Sequence, residues 1–215
     1  MRLTKFGHSC LLVEDGGARV LLDPGSFSEG FEELEGLTAV CLTHQHGDHL
    51  DPERVRRLLD RNPGVRGVSD EGSAKALGEA GAEVEVVHDG DELELGGLGV
   101  AVAGRDHAVI HPDVPVVPNV GYLVGGRLFH PGDAFTVPGQ PVEVLAVPAG
   151  APWLKLAEAV DYLRRVAPRV AFPVHEKVLS EGGISIHYRQ LEQLGARGGT
   201  RFEVLDDGHP LELEG

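Results

Sequence analysis

The sequence predicts an α+β protein built as a four-layer αββα sandwich, and three observations carry that expectation. Short apolar segments bounded by glycine, proline and aspartate turns dominate both halves of the chain, as strands do. Each half also carries segments with helical periodicity. Two strand-rich halves with their own helices bury most apolar surface when the sheets pack face to face and the helices cover the outside. The length of 215 residues suits one domain over 1–215, or two fused halves sharing a core.

Strands are expected first at Arg2–Phe6, Cys10–Glu14 and Arg19–Leu22, separated by Gly-His-Ser and Asp-Gly-Gly turns. Ala39–Leu42 is continuously apolar and reads as a buried strand. A helix is expected over Pro52–Arg61, with Asp51 as its cap and proline at its first position. Val65–Val68 reads as a strand, and Ser73–Ala80 as a short helix favoured by its alanines. Strands follow at Val84–Val87, Glu92–Leu95 and Val100–Ala103. A loop rich in proline and histidine runs from Gly104 to Pro118. The second half reads as strands at Val120–Val124, Arg127–His130 and Val142–Val147. Lys155–Val166 is the clearest helix, with an apolar stripe of Leu156, Ala159, Val160, Leu163 and Val166. It leads into the apolar strand Val170–Val174. A weaker helix is expected over Tyr188–Leu194, and short strands at Phe202–Leu205 and Leu211–Leu213.

The chain carries 19 basic and 34 acidic residues, a formal charge of −15. A nucleic-acid enzyme normally shows a basic stripe, so no nucleic-acid partner is expected. The N-terminus does not resemble a signal peptide and no apolar run is long enough to span a bilayer, so the expectation is a soluble, cytoplasmic protein acting on a small molecule, with no membrane partner and the oligomeric state left open. Cys10 and Cys41 lie in apolar runs and read as small buried hydrophobes.

The most informative stretch is Thr43-His44-Gln45-His46-Gly47-Asp48-His49, directly after the strand Ala39–Leu42. Imidazole nitrogen and carboxylate oxygen are the ligands borderline divalent cations prefer. Along extended backbone His44 and His46 point the same way. Gly47 lets Asp48 and His49 face the same point from the other side. Further ligand-type residues end other apolar strands: His107 after Val100–Ala103, Asp133 in His130-Pro131-Gly132-Asp133, and His175 after Val170–Val174. Ligands at different strand ends can converge on one rim of a sandwich.

In this order and spacing, His44-x-His46-x-Asp48-His49, His107, Asp133 and His175 resemble the metallo-β-lactamase fold hydrolases. Asp23-Pro24-Gly25 after a strand is similar to that superfamily's first signature. Gly7-His8-Ser9, Pro148-Ala149-Gly150 and Pro173-Val174-His175 resemble the branch that includes the L-ascorbate-phosphate lactonases. The resemblance spans nearly the whole chain. It implies two divalent metal ions, zinc first and manganese or iron as alternatives. His44, His46 and His107 would hold one, Asp48, His49 and His175 the other, and Asp133 would bridge them, with Asp48 and Asp133 as the catalytic carboxylates. The implied activity is hydrolysis of a small ester, lactone or phosphate-bearing substrate by a metal-bridging hydroxide. Two departures stand out: Ala134 where many relatives have threonine, and Glu176 where branch members often have tyrosine.

Several positions admit rival readings. His107 lies closer to its strand end than His111, and His175 follows a buried strand where His187 precedes a helix; both rivals could still face the pocket. Asp23 either holds the metal loop by hydrogen bonds or opens a turn. His8 either meets substrate or is structural, and His130 reads as structural. His88 and His209 read as surface residues, and Trp153 as packing or pocket lining. Among functions, a phosphodiesterase or nuclease on the same fold is opposed by the acidic charge. Diiron redox chemistry is opposed by His46, where diiron relatives carry glutamate. A non-catalytic metal-binding protein is opposed by the full ligand set. A secreted antibiotic-degrading lactamase and a glyoxalase-type thioesterase fit less well, for want of an export signal and of an extra helical C-terminal region.

Overall fold

A computed structural model describes residues 1–213. The first half contains β1 (Arg2–Lys5), β2 (Leu11–Asp15), β3 (Ala18–Leu22), β4 (Ala39–Leu42), α1 (Pro52–Arg61), β5 (Arg66–Ser69), α2 (Glu71–Glu79) and β6 (Glu85–Val86). Then come β7 (Glu92–Leu95), β8 (Leu98–Ala103), β9 (Gly121–Val124), β10 (Leu128–His130) and β11 (Val144–Pro148). α3 (Leu156–Val166), β12 (Val170–Val174), a 3-10 turn (Glu176–Val178), α4 (Glu181–Ala196), β13 (Arg201–Phe202) and β14 (Pro210–Glu212) complete the described residues.

The strands form two seven-stranded sheets, ordered β14-β1-β2-β3-β4-β5-β6 and β13-β12-β11-β10-β9-β8-β7. Side chains alternate across each strand, and this alternation builds the layers. Ala39 and Cys41 of β4 face the central core with Val144 and Ala146 of β11 and Val170 and Phe172 of β12. Val40 and Leu42 face outward and pack with Val55 and Leu58 of α1 and Leu77 of α2. Leu145 and Val147 face outward on the second sheet, against Ala159, Tyr162 and Leu163 of α3 and Leu191 of α4. The result is the expected αββα sandwich, and β4, β11 and β12 are uniformly apolar because both their faces are covered. Cys10 and Cys41 are unpaired and buried, and burial pushes both thiols up, away from reactive thiolate. Among the described residues no helix is long and apolar enough to cross a membrane.

Most elements lie where the sequence placed them, and Asp51 Oδ1 does accept from the Arg54 amide, at 3.0 Å. The largest departure is α4, which begins at Glu181 rather than Tyr188. Gly182-Gly183 reads as a break, but the Ser180 hydroxyl accepts from the Gly183 amide and starts the helix before the glycines. α2 likewise starts early because Asp70 accepts from the Gly72 and Ser73 amides. The strand expected over Phe202–Leu205 is confined to Arg201–Phe202, and that over Leu211–Leu213 is shifted to Pro210–Glu212.

Strand directions put the site on one rim. β3, β4 and β5 run parallel, and β10, β11 and β12 run parallel, so their C-terminal ends share an edge of each sheet. β1 runs with β3 through two antiparallel pairings, and β8 with β10 through two more. Polar contacts tie the sheets together there. Tyr122 Oη, fully buried, donates to the Leu42 carbonyl at 2.8 Å, and the Val120 amide donates to the Thr43 carbonyl at 2.9 Å.

Away from the rim, Glu143 clamps the start of β11. Its carboxylate meets Arg127 Nε at 2.6 Å and Nη2 at 3.1 Å, and also pairs with Arg169 before β12. The Arg127 and Arg169 guanidiniums hold Glu143 down at about 2. A carboxyl depressed when folded contributes stability above its unfolded value, near 4.5, and loses it as pH falls towards the folded value. Arg169 is largely exposed, so the clamp is worth about 1 kcal/mol. Glu143→Gln should therefore lower the urea midpoint at pH 7, and the difference from wild type should shrink by pH 3. A difference that grows on acidification would refute the clamp.

Candidate metal centre

β4 ends at Leu42, and residues Thr43–His49 then form a tight turn rather than continued strand. Convergence of His44 and His46 therefore comes from the turn, not from strand alternation. The His49 and Leu50 amides both donate to the His46 carbonyl, at 3.0 and 2.9 Å, which folds Asp48 and His49 back over the strand end. Gly25 packs so closely on this turn that a Cβ would lie 2.0 Å from the Asp48 carbonyl oxygen. Only glycine fits there.

His107 follows β8, Asp133 follows β10 and His175 follows β12, and all three are buried against the turn. The rings of His44, His46 and His107 lie 4.7–4.9 Å apart by centroid. Asp133 sits among the others: His49 Nε2 is 3.1 Å from its Oδ1, and His175 Nε2 and His107 Nε2 are 3.0 and 3.3 Å from its Oδ2. His175 Nε2 also lies 3.2 Å from Asp48 Oδ2. Three groups have one donor atom per residue within 4.8 Å of one another: His44, His46 and His107; His44, His49 and Asp133; and His8, Asp48, His49 and His175. All seven residues singled out from the sequence are thus brought together, whereas His111 and His88 are exposed. His187 instead points its Nδ1–H at the Ala149 carbonyl, at 2.6 Å.

The hydrogen-bond network assigns the tautomers. His49 Nδ1–H donates to Asp23 Oδ2 at 2.7 Å, His107 Nδ1–H to the Ala108 carbonyl at 2.5 Å and His175 Nδ1–H to the Gly150 carbonyl at 2.6 Å. The Thr43 hydroxyl spends its proton on Asp23 Oδ2, so His44 Nδ1–H donates to Thr43 Oγ1 at 3.1 Å. In every one of these rings Nε2 is the nitrogen that faces the centre. The Nε2 atoms of His44, His49, His107 and His175, and Asp133 Oδ1, are buried without a hydrogen-bond partner. Buried polar atoms are rarely left so, and converging imidazole lone pairs around a carboxylate suit divalent cations.

His8 differs. Its Nδ1 accepts from the Lys177 amide at 3.4 Å, so Nε2 carries the hydrogen and donates to Asp48 Oδ2 at 3.2 Å. Its ring stacks 4.1 Å from that of His175. It is placed to orient Asp48 rather than to ligate. His130 is fixed in the same tautomer, with Nε2–H on the Ser9 carbonyl and Nδ1 accepting from the Gly132 amide, which braces the turn to Asp133. Gly132 has φ +62, and a Cβ there would strike Asn119 Oδ1 at 2.3 Å.

Electrostatics favour cations at the centre. Burial opposes charge on every group. It holds His44 well below its ordinary value, with positive His49 adding to the effect. For His49 the Asp133 and Asp23 carboxylates outweigh burial and raise it. For His175 the Asp133 and Asp48 carboxylates beside it do the same, pushing it up to about 9. Burial alone would raise Asp133, but His49, His107 and His175 hold it well below the carboxylate range. Metal loading would therefore displace protons from His49 and His175.

Several supporting residues went unrecognised in the sequence. Trp153 Nε1–H donates to Asp133 Oδ2 at 2.9 Å, so this tryptophan orients the carboxylate rather than merely packing. Asn119 Oδ1 accepts from the Asp133 amide at 2.9 Å. Ala134 offers no donor of its own. Glu176 is buried in an ion pair with Lys5, so the position does not present a side chain to substrate as a tyrosine there could. His8, Asp23 and His175 hold φ of 50°, 45° and 63° without being glycine, strain that clusters at this rim.

A rim of this build on this sandwich defines the metal-dependent hydrolase class of the metallo-β-lactamase fold. Residues 2–175 match the β-lactamase superfamily domain, and the chain belongs to that family. It is 50% identical over 212 residues to Protein Rv0786c of Mycobacterium tuberculosis, covering 96% of this chain and 97% of that one. It is 30% identical over 204 residues to a UPF0173 protein of Pyrococcus furiosus, covering 90% and 91%. Igni18, a metallo hydrolase from Ignicoccus hospitalis, shares the fold with a TM-score of 0.75 at 21% identity over 99% of each chain.

Asp23 accepts from the Thr43 amide and hydroxyl and from His49, and so holds both arms of the turn. Asp23→Asn cannot accept all three with the same charge. It should weaken zinc binding about 10- to 100-fold, measured against a chromogenic chelator. Unchanged affinity in a folded variant would remove Asp23 from the centre's support.

Proposed function

We propose that the protein is a binuclear metal-dependent hydrolase of a small ester, lactone or phosphate-bearing substrate. The observation that carries this is the set of partnerless imidazole Nε2 atoms around Asp133. In this reading His44, His46 and His107 would hold one ion and Asp48, His49 and His175 the other, with Asp133 available to both. Zinc suits the nitrogen-rich set best, and manganese or iron would also be accepted. Bound dications lower the pKa of water from about 16 to about 7 and polarise the substrate oxygen.

The chain's own groups do the rest. Trp153 Nε1 and the backbone bond to Asn119 fix Asp133 in one orientation. His8 fixes Asp48 through Oδ2, which leaves Oδ1 to take the proton given up by the attacking water. Asp48 is the more open of the two carboxylates, with 21% of its side chain exposed against 5% for Asp133, as a group facing the mouth should be. The acidic surface opposes a polyanionic nucleic-acid substrate.

Elemental analysis of protein prepared without chelator, or reconstituted with zinc or manganese, should find close to two ions per chain. Asp133→Ala should lower that number and reduce turnover on an ester, lactone and phosphodiester panel by orders of magnitude, whereas His88→Ala, on an exposed side chain, should leave both alone. Near wild-type turnover by Asp133→Ala would end the binuclear mechanism.

A further inference from the structure

We infer that the substrate carries an uncharged apolar chain next to its scissile bond, an acyl ester or lactone rather than a phosphorylated molecule. This rests on the hydrolase reading above and narrows it. The observation is where the chain exposes large hydrophobic side chains. Of the ten large hydrophobic side chains exposed among the described residues, Val109, Ile110, Val114 and Val116, at 59, 38, 43 and 49%, fall on the one loop that follows His107, and Phe27, at 43%, lies on the segment after β3. Exposed apolar groups gathered at one place on a surface mark binding.

Each of these residues is tied to the metal centre. Val109 and Ile110 come directly after His107 and Ala108, and Ala108 is anchored to the centre through its amide, which donates to the Asp133 carbonyl at 2.8 Å. Val116 precedes Val117, whose carbonyl accepts from the His107 amide at 3.0 Å. The loop thus leaves and rejoins the rim beside the same imidazole, with its apolar side chains outside. From the other sheet, the Phe27 ring meets His8 edge-on at 5.2 Å, and His8 holds Asp48. A chain attached to the carbonyl under attack would meet these side chains as it left the centre.

Charge points the same way. Arg105 and Lys155, near the rim, each already pair with a carboxylate on the surface, Asp89 and Glu158. Asp113 stands 90% exposed on the apolar loop itself. Lys177, whose backbone amide donates to His8 Nδ1 at 3.4 Å, is the cation whose removal would weaken the hold on a phosphate if one were bound there. Hydrolysis of the proposed substrate breaks the acyl C–O bond. Water supplies hydroxyl to the acyl carbon and hydrogen to the leaving oxygen, so the product is a carboxylic acid with the same chain.

Trp153 is the chain's single tryptophan and bonds Asp133, so its fluorescence reports occupancy of the site. Zinc-reconstituted protein would be titrated with butanoate, hexanoate, octanoate and inorganic phosphate. A buried methylene is worth about 0.8 kcal/mol, about fourfold in affinity. Octanoate should bind at least about tenfold more tightly than butanoate even with partial burial of the added carbons. Phosphate should bind more weakly than octanoate, and Lys177→Met should not alter the series. The double variant Val109→Ser and Ile110→Ser, or the milder Ile110→Ala, should flatten the chain-length dependence; His88→Ala should not. Affinity independent of chain length, or tighter binding of phosphate, overturns the inference. So does a concentration-dependent mass showing the loop buried between two copies with no octanoate bound. Parallel assays on p-nitrophenyl acetate and octanoate separate the two readings. Ester cleavage without chain-length preference defeats this inference and leaves the hydrolase reading. Chain-dependent binding with no cleavage of any ester defeats the hydrolase reading and leaves only an apolar binding surface beside the centre.

Discussion

The carboxylate of Asp133 is the constraint around which the rest is arranged. A buried carboxylate is costly unless positive charge and hydrogen bonds surround it. Here the surroundings are four imidazoles from three separate segments, two contributed by the turn after β4 and one each by the residues that follow β8 and β12. Bringing those segments to one point forces the other unusual features of the rim. Gly25 and Gly132 are there because backbone runs where a Cβ would collide. His8, Asp23 and His175 take left-handed backbone angles so that their side chains turn inward from strand ends. Tyr122, with its hydroxyl spent on a β4 carbonyl of the opposite sheet, holds the two sheets at a fixed separation beneath the centre.

The sequence made the cluster legible because its histidines and aspartates sit in local patterns. His44, His46, Asp48 and His49 share one turn, and His107, Asp133 and His175 each end an apolar run, so strand ends could be matched to ligands without knowing the sheet order. The sandwich was legible for a related reason: strands covered on both faces are uniformly apolar and stand out. What was not legible depends on contacts between distant segments. Trp153 follows a proline at a helix approach and carries no local sign that its indole reaches a carboxylate 20 residues earlier in the chain. Asn119 looks like an ordinary turn residue before β9. α4 was cut short because two glycines outweigh a serine cap when only propensity is counted, whereas its packing on α3 through Leu191 pays for them.

The two halves of the centre are not equivalent, and the difference lies behind the ligands. His49 rests on a full carboxylate, Asp23, whereas His107 and His175 rest on peptide carbonyls and His44 on a hydroxyl. A carboxylate partner makes an imidazole a stronger donor than a carbonyl does. Asp23 also accepts from Thr43, so the same carboxylate sets the basicity of His49 and, through the threonine hydroxyl, the tautomer of His44. One residue thus couples a ligand of each proposed ion. A change in the charge of Asp23 would be felt on both sides, whereas a change at Gly150 or Ala108 would be felt on one.

The same economy governs the tautomers of the remaining histidines. The ring nitrogen that meets the backbone decides whether a histidine can ligate or only support. Where Nδ1 donates to a carbonyl, as at His107 and His175, Nε2 is the nitrogen that faces the centre and can be freed for a cation. Where Nδ1 accepts from an amide, as at His8 and His130, Nε2 carries a proton and becomes a donor to a carboxylate or carbonyl. Sequence alone gives the six buried histidines around this rim no such distinction. The direction of a single backbone group beside each ring supplies it, and this is why His8, although within ligand distance of Asp48, His49 and His175, belongs to the support of Asp48 rather than to the ligand set.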